Sequence, residues 1–484
     1  MPYGTRRECG QTIRMTDGND ALRLPAVADA TLTPAEAARP IPRRRVIAWA
    51  LWDWATQPFN SVIITFVFVA LYLTQDGFID PDIRALGEDA PAYERALDVL
   101  ARNWAWAGAL AGIVVALLAP VLGQRADARG RRKWWLGMMS GLLMLSMLGL
   151  FFVEESPRYF WLGIALISFG QIVSEIAGVN YNAMLTDVST PRTVGRVSGL
   201  GWGLGYVGGI VALVIVVVAD SSDWWGMDTS NGMAYRLIAV GSALWAIMFG
   251  WAVFVFVPES PRRRGAPVVG FFEGYRILVR DLRELWATAR STLWFLIASA
   301  VYRDGLVGVF AFGAIIAAQA FDFSSQGVIY FGVAANLVAG LSTIVAGRMD
   351  DRFGPRSVIL AALGTIVVCG IVIVAAHTVG AVVFWVFGLI LSACVGPAQA
   401  ASRSLLARVS PPGREGEIFG LYATTGRVTF FLSPTAFGLA SLAFGGTIWG
   451  TIGIVFIVAA GLALLVPMKT SHAPKSGERE HAST

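Results

Sequence analysis

The sequence is short of charge, histidine and cysteine, and each shortage excludes a class of protein. Only 15% of the 484 residues are charged, whereas 55% are hydrophobic. Soluble domains carry roughly 25% charged residues, so most of this surface cannot face water. The three histidines and three cysteines are scattered, with no CxxC pair and no metal-ligand spacing. We therefore expect no metal, no other cofactor and no enzyme active site.

Basic charge is present, but its placement does not suit nucleic acid. The net charge is +5 and the pI is about 9.2. Lys and Arg stand in short clusters between apolar runs, which is a membrane-topology pattern and not a binding stripe. With the N-terminus inside, most of them fall on inside segments, so we expect both termini in the cytoplasm. The expected partners are the lipid bilayer and a small-molecule solute, with no nucleic acid.

Twelve apolar runs, each near the ~20 residues that cross a ~30 Å hydrocarbon layer, occupy most of the chain. Only helices fit them, because barrel strands alternate over ~10 residues. Spans one to twelve are predicted at 46–73, 103–122, 134–153, 159–184, 194–219, 234–257, 292–318, 324–346, 357–376, 380–400, 416–441 and 448–466. The predicted fold class is an all-α membrane protein. Its parts are an N-terminal tail 1–45, a first bundle 46–257, a linker 258–291, a second bundle 292–466 and a tail 467–484.

Segments outside the spans carry further signals. Residues 1–40 lack the apolar core of a signal peptide, so we expect no cleavage there. The loop 74–102 predicts a surface helix at Tyr93–Trp104, and the linker predicts an amphipathic helix at Phe271–Trp286 along the inner leaflet. Few lysines and much Ala, Gly and Val are typical of a GC-rich bacterial genome, which favours a bacterial plasma membrane.

Two loops share one residue spacing. GQRADARGRR at 123–132 joins spans two and three, and GRMDDRFGPR at 347–356 joins spans eight and nine. With the first glycines aligned, each loop continues with an acid, a second glycine and an arginine at the same offsets, and such an internal repeat is expected of secondary transporters. Glycine supplies positive φ in a tight turn, and charge pairs can hold one packing of the two halves until gating breaks them. The candidate gating residues are Gly123, Asp127, Gly130, Arg131, Arg132, Gly347, Asp351, Arg352 and Gly354.

The first loop resembles the signature loop of the major facilitator superfamily, and the second is similar to its degenerate second copy. This resemblance covers roughly 43–467 and implies two six-helix bundles around a central cavity, with alternating access by rocking. A narrower resemblance, to the vacuolar effluxer family tied to autophagy and its bacterial members, rests on ALWDWA at 50–55, YRDG at 302–305, QAASRS at 399–404 and EIFGLY at 417–422. The fungal members are linked to amino-acid efflux, so the resemblance implies amino acids as the first substrates to test.

Polar groups inside spans are the transport candidates, because a charge within a bilayer costs ~2.5–3.5 kcal/mol. In span seven, Arg303 and Asp304 are sequence neighbours, so they point to different partners, and the alternatives are a functional role and a structural interhelical pair. In span four, Gln171, Glu175 and Asn182 share one polar face. Glu175 is the candidate for a proton-coupled site, or else a hydrogen-bonded glutamate that fixes packing.

The remaining candidates are polar residues on faces of spans one, ten and eleven: Asp53, Gln57, Gln399, Arg403, Tyr422 and Arg427. Asp53 is either a transport residue or the partner in a gate ion pair. In span five, GLGYVG at 203–208 formally matches a dinucleotide motif, but it lies inside an apolar helix. The glycine row from Gly199 to Gly209 instead indicates close helix packing.

These features predict a secondary active transporter of a small polar or zwitterionic solute, acting as a monomer, with protons as the candidate coupling ion. Multidrug or lipid efflux is the alternative, which a cavity of aromatic and apolar residues would favour and the arginines of spans seven and eleven oppose. A non-transporting sensor or a membrane-embedded enzyme is the third hypothesis, and no nucleophile–base pair, metal cluster or nucleotide loop supports it.

Overall fold

Twelve long apolar helices build the protein, in a computed structural model that describes residues 41–228, 230–260, 271–288, 290–411 and 413–468. Spans one to six are Arg43–Leu73, Pro91–Arg129, Arg132–Phe152, Pro157–Ala183, Val194–Ser221 and Ser230–Phe256. Spans seven to twelve are Arg290–Ala320, Gln326–Phe353, Pro355–Ala375, Ala381–Val409, Glu415–Phe444 and Thr447–Leu465. The prediction of an all-α protein with twelve membrane spans is confirmed.

Two further helices were predicted outside the membrane spans, one in the linker and one before span two. The linker forms the helix Phe271–Thr288, as expected, and the Tyr275 hydroxyl donates a hydrogen bond of 2.7 Å to the Leu117 carbonyl of span two. Residues Tyr93–Trp104 are helical, as predicted, but they belong to span two, which begins at Pro91 and continues through that segment without a break. A proline in the first turn is a favourable helix start, and no residue between it and the apolar run stops the helix.

The two signature turns are shorter than the sequence suggested. Span two runs to Arg129 and the chain reverses at Gly130, whose φ of 60° favours glycine. Span eight runs to Phe353 and the chain turns at Gly354, with a φ of 86°. The expected need for positive φ is therefore confirmed at these second glycines of the repeat. Gly123 and Gly347 were wrongly placed in the loops, since both lie inside helices.

Close helix contacts between the bundles explain the first glycines. Spans two and eleven pack together, as do spans five and eight. A methyl group on Gly347 would lie 2.7 Å from the Gly195 carbonyl oxygen, and one on Gly123 would overlap the backbone of Gly416. Gly203 would likewise meet the Gly340 carbonyl oxygen at 2.9 Å. The close packing predicted for the glycine row of span five is thus confirmed, because only glycine leaves room for a second backbone.

Both signature turns lie at one end of the molecule, which we call the loop face. Asp127 contacts the start of span eleven, while Arg132 donates to the Ala183 carbonyl at the end of span four. Asp351 contacts the start of span five, which follows span four after a short connection. The repeat therefore places its two turns on the same side, as an even number of intervening spans requires.

Span eleven is broken, although its sequence predicted one continuous helix. A first helix ends at Thr429 and a second begins at Leu432. The buried Asp304 carboxylate of span seven accepts a hydrogen bond of 2.6 Å from the Ser433 backbone N–H, in the first turn of the second helix. A carboxylate at a helix start satisfies a free backbone donor and interacts favourably with the helix dipole. Asp304 thus has a structural partner within its own bundle.

Replacing Asp304 by alanine removes this cap, so we expect the free energy of unfolding to fall by about 1–2 kcal/mol. The measurement is the apparent unfolding midpoint of the purified protein in detergent, followed by intrinsic fluorescence. Asp304→Asn is the matched control, since an amide oxygen still accepts the Ser433 N–H, and it should lose less. A wild-type midpoint in Asp304→Ala combined with lost transport would show that Asp304 is not primarily a cap.

Candidate functional site

Arg403 of span ten joins the two bundles through four donated hydrogen bonds. Its Nε and Nη2 atoms donate to the Ser198 hydroxyl at 3.0 Å and the Ser198 carbonyl at 2.7 Å. Its Nη1 atom donates to Asn182 Oδ1 at 3.0 Å and to Asp53 Oδ2 at 3.2 Å. Every acceptor belongs to the first bundle. We call this group of four residues the Arg403 latch.

Aromatic rings enclose the same guanidinium. Its central carbon lies 5.0 Å from the ring centre of Trp49, 5.6 Å from Tyr181 and 5.7 Å from Trp202, within cation–π range. The Tyr181 hydroxyl donates to Asp53 Oδ2 at 2.9 Å, which fixes the carboxylate. A methyl group on Gly201 would lie 2.9 Å from Arg403 and from Asp53, so glycine is needed to leave space for the pair. The sequence did not reveal this ring enclosure.

Burial makes the Arg403 latch sensitive to separation of the bundles. The Arg403 residue is only 3% exposed, and a buried charge is tolerated when its hydrogen bonds are made. Removing one partner of a buried ion pair typically costs 3–5 kcal/mol. The geometry therefore matches the gate-pair alternative expected for Asp53, whose partner Arg403 is 350 residues distant in sequence.

A second charge cluster forms at the first signature turn. Arg132 donates to Asp127 at 2.6 Å and to Glu415 of the second bundle at 2.5 Å, with Asp187 at 3.8 Å. Burial raises the pKa of Asp187, which lies between spans, and Arg132 opposes that rise. The carboxylates outnumber the guanidinium, and Arg414, which pairs with Glu417, adds positive charge beside them. The cluster closes the loop face between spans two and eleven.

Each signature acid caps a helix of the opposite bundle. Asp127 Oδ2 accepts the Glu417 backbone N–H at 3.0 Å, in the first turn of span eleven. Asp351 accepts the backbone N–H groups of Gly195 and Arg196 at 2.8 and 3.1 Å, in the first turn of span five. Span five occupies the same place in the first half that span eleven occupies in the second. The internal repeat therefore extends from the sequence to an exchanged pair of helix caps.

Two predicted gating arginines lie outside these contacts. Arg131 and Arg352 are exposed, and neither forms an ion pair within the described residues. In this structure both side chains lie at the surface and do not hold the halves together, so their gating role stays a prediction. The second turn instead uses Arg408, which lies 3.0 Å from Asp350 and 3.3 Å from Asp351, and Arg196, whose Nε donates to Asp351 at 3.0 Å.

A central charged layer, made of Glu175, Arg303 and Arg427, lies deeper between the bundles. Glu175 of span four and Arg427 of span eleven form an ion pair, and both side chains remain partly exposed. Glu175 is eight residues from the end of its span, or about 12 Å at 1.5 Å per residue, which is close to the middle of the bilayer. The predicted polar face of span four thus meets the second bundle.

Arg303 completes this layer from span seven. Its guanidinium lies 3.6 Å from the centre of the Tyr422 ring, and Nη1 donates to the Tyr422 carbonyl at 2.9 Å. It also lies against Gly426, the residue before Arg427. Among the described residues, no carboxylate stands within ion-pair distance of Arg303. The expectation that Arg303 and Asp304 face different partners is confirmed, since one contacts the first helix of span eleven and the other caps the second.

Three other candidates, Gln171, Gln57 and Gln399, lie outside the charged layer. Gln171 is one turn from Glu175 on the same face, and its Oε1 atom is buried with no donor in the described part of the chain. Gln57 lies beside Gly205 and Gly209 of span five. Gln399 is half-buried one turn before Arg403. The structure therefore groups most of the charged candidates into the Arg403 latch, the two loop-face clusters and the central layer, and leaves Gln57, Gln171, Gln399 and Asp304 outside them.

All interbundle hydrogen bonds and ion pairs among the described residues lie between the loop face and this central layer. Thr424, for example, donates to the Ala116 carbonyl at 2.9 Å between the first cluster and the layer. The structure is consequently closed at the loop face.

A family model and individual relatives of known proteins agree on one family. The model of the family described as "Vacuole effluxer Atg22 like" matches residues 42–478. The uncharacterized MFS-type transporter YxiO of Bacillus subtilis is 24% identical over 437 residues, covering 88% of this chain and 95% of YxiO. Autophagy-related protein 22 of Cryptococcus neoformans is 22% identical, over 60% of this chain and 52% of that protein. The fungal relative is thus matched over about half its length.

Solved structures share the architecture. The proton:xylose symporter XylE bound to 6-bromo-6-deoxy-D-glucose superimposes with a TM-score of 0.68 at 13% identity, covering 88% of this chain and 95% of XylE. The Escherichia coli fucose:proton symporter FucP gives 0.66 at 12% identity, covering 89% and 98%. At such identities the likeness establishes the fold of the major facilitator superfamily and nothing about the solute.

Replacing Arg403 by lysine should weaken closure of the loop face. A lysine carries a charge but cannot reproduce the planar fork that reaches Ser198, Asn182 and Asp53 together. Each charge-assisted hydrogen bond contributes about 1.5–3 kcal/mol, so their loss should raise the fraction of molecules that are open at the loop face at least tenfold. Spin labels at the exposed positions Arg192 and Arg348, one on each bundle, should report longer distances. Arg356→Lys is the control, and an unchanged distance distribution in Arg403→Lys would refute the latch.

Proposed function

The chain belongs to the Atg22-like vacuole effluxer family, and on this premise we propose that it exports a small zwitterionic solute, an amino acid, by alternating access. Family and fold make it a secondary transporter of the major facilitator superfamily. The solute and the direction of transport are the proposal. The observation that carries it is the central charged layer, which sets fixed charges of both signs between the bundles near mid-membrane.

Arg303 is the proposed site for the solute carboxylate. Its guanidinium is held by the Tyr422 ring and carbonyl, which take up one face and one donor. The remaining N–H groups match a carboxylate in a bidentate arrangement. The solute ammonium group would be received by the polar face of span four, where the Gln171 Oε1 atom accepts no hydrogen bond from a described residue. A zwitterion would thus bridge the second bundle and the first.

Alternating access follows from the distribution of contacts. The Arg403 latch and the exchanged helix caps hold the loop face closed, so the solute reaches the central layer from the opposite face in this state. Rocking of the bundles would break those contacts and admit water to Arg403 and Asp53. By the positive-inside rule, the loop face with its many arginines is cytoplasmic. The proposed setting is therefore a bacterial plasma membrane, with both termini inside and the structure facing outward.

Transport by the purified protein in liposomes tests the solute. We expect counterflow of neutral amino acids and no counterflow of sugars. Arg303→Lys should lower it about tenfold to a hundredfold, because lysine loses the stacking on Tyr422 and the bidentate geometry. Arg356→Lys is the control, because this half-buried arginine on the loop face donates to the Val466 carbonyl of its own bundle and lies outside the central layer. Flux of lipophilic cations or lipids that is insensitive to Arg303→Lys would favour the multidrug or lipid efflux alternative instead.

Glu175 is the proposed coupling site. Protonation of Glu175 would abolish its ion pair with Arg427, the deepest ionic contact between the bundles, so the proton and the bundle movement are linked. Glu175→Gln should remove the dependence of solute flux on a pH gradient while solute exchange continues. Glu154→Gln, at an exposed carboxylate, should leave the gradient dependence intact. A mutant Glu175→Gln that still responds to the pH gradient would exclude this residue.

A further inference from the structure

A basic cavity opens at the loop face of the first bundle, where the starts of spans one and three meet the end of span six. Its volume is about 390 Å³, and its lining consists of Arg44, Arg45, Lys133, Val255, Phe256, Val257 and Pro258. Neither the Arg403 latch nor the central charged layer includes any of these residues. The cavity therefore needs an explanation separate from solute transport.

The cations of this cavity retain free donors. The Lys133 ammonium donates to the carbonyls of Phe254 at 3.2 Å and Val257 at 2.9 Å, which fixes its position and leaves one of its three N–H groups. Arg44 and Arg45 form no ion pair with any residue that the structure describes. The nearby Glu259 carboxylate accepts the Lys133 backbone N–H at 2.8 Å, so one negative charge stands against three positive charges. A bound anion would balance the remaining positive charge.

The depth and surroundings of the cavity define the kind of anion. Arg44 and Lys133 are each the second residue of a span, and Phe256 is the last residue of another, so the cavity lies at headgroup depth. Apolar side chains near it are open to the bilayer, with Ile47 50%, Trp134 51% and Val255 63% exposed. Cations above an apolar, exposed surface suit a molecule with a charged head and hydrocarbon tails.

We propose that this cavity binds the phosphate headgroup of an anionic phospholipid. The phosphate lies among Arg44, Arg45 and Lys133, and the acyl chains run along Val255 and Ile47. Charge complementarity selects anionic over zwitterionic lipids, because a choline or ethanolamine group would bring positive charge towards the three cations. The inference depends on membrane insertion alone and holds whatever solute the central layer binds.

Native mass spectrometry of the full-length protein, with phosphatidylglycerol or phosphatidylcholine added in detergent, tests the proposal. We expect wild type to retain phosphatidylglycerol, and R44Q/R45Q to bind it about thirtyfold more weakly, because two interfacial cations are lost. R192Q/R348Q removes two exposed arginines of the same face and should retain wild-type binding. Equal binding by R44Q/R45Q and wild type, or an equal loss in both double variants, would overturn the site.

A photo-crosslinking amino acid at Val255 locates the occupant in membranes. An adduct with the mass of phosphatidylglycerol supports the proposal. A crosslink to residues 1–40 of the chain or to a second copy would show that protein covers the cavity, and so overturn it. Displacement of phosphatidylglycerol by glycerol phosphate at equal concentration would assign the cavity to a soluble phosphate and likewise reject the lipid.

Discussion

The closed structure depends on a single buried guanidinium. Arg403 leaves its own bundle, enters a pocket of aromatic rings in the other, and has its hydrogen bonds satisfied there by Ser198, Asn182 and Asp53. In a medium of low dielectric such a charge is costly unless every partner is in place. Its contribution is therefore conformational specificity more than stability. A displacement that breaks only some of these hydrogen bonds leaves the guanidinium incompletely satisfied, which favours either the closed arrangement or a hydrated Arg403.

Contacts of different kinds support this latch at different depths. At the loop face, carboxylates of one bundle cap helix starts of the other. Deeper in the membrane, glycines allow the helix backbones of the two bundles to approach closely. Near mid-membrane, the Glu175–Arg427 pair is the ionic contact farthest from the loop face. Since the caps and glycines occur in both halves, the closed face is nearly symmetric. The charged layer is not symmetric, because span seven contributes an arginine that has no carboxylate partner among the described residues.

The sequence predicted the features that depend on local pattern. The spans, the turn glycines Gly130 and Gly354, and the polar face with Glu175 follow from apolar length, backbone freedom and helical periodicity. Ion-pair and hydrogen-bond partners that are distant in the chain could not be predicted, because the charge of a residue does not indicate which other helix that residue will contact. Arg131 and Arg352 belong to the repeated turn motif, yet their side chains are exposed. Arg408 and Glu415 form ion pairs at the turns although they lie outside the motif. The capping contact of Asp304 could not be predicted, because its partner Ser433 is 129 residues distant in sequence.

The interruption of span eleven separates a helix that contacts both bundles from a helix that packs within its own half. Its first helix, Glu415–Thr429, packs against spans two and four of the other bundle and also against span seven of its own, whereas Leu432–Phe444 packs against spans seven and twelve of its own half. Phe430 and Phe431, which join the two helices, keep right-handed helical backbone angles, and Asp304 anchors the start of the second helix at Ser433. The second half need not move as a rigid block. A bend at this joint would change the position of Arg427 relative to Glu175 while Asp304 still holds the second helix.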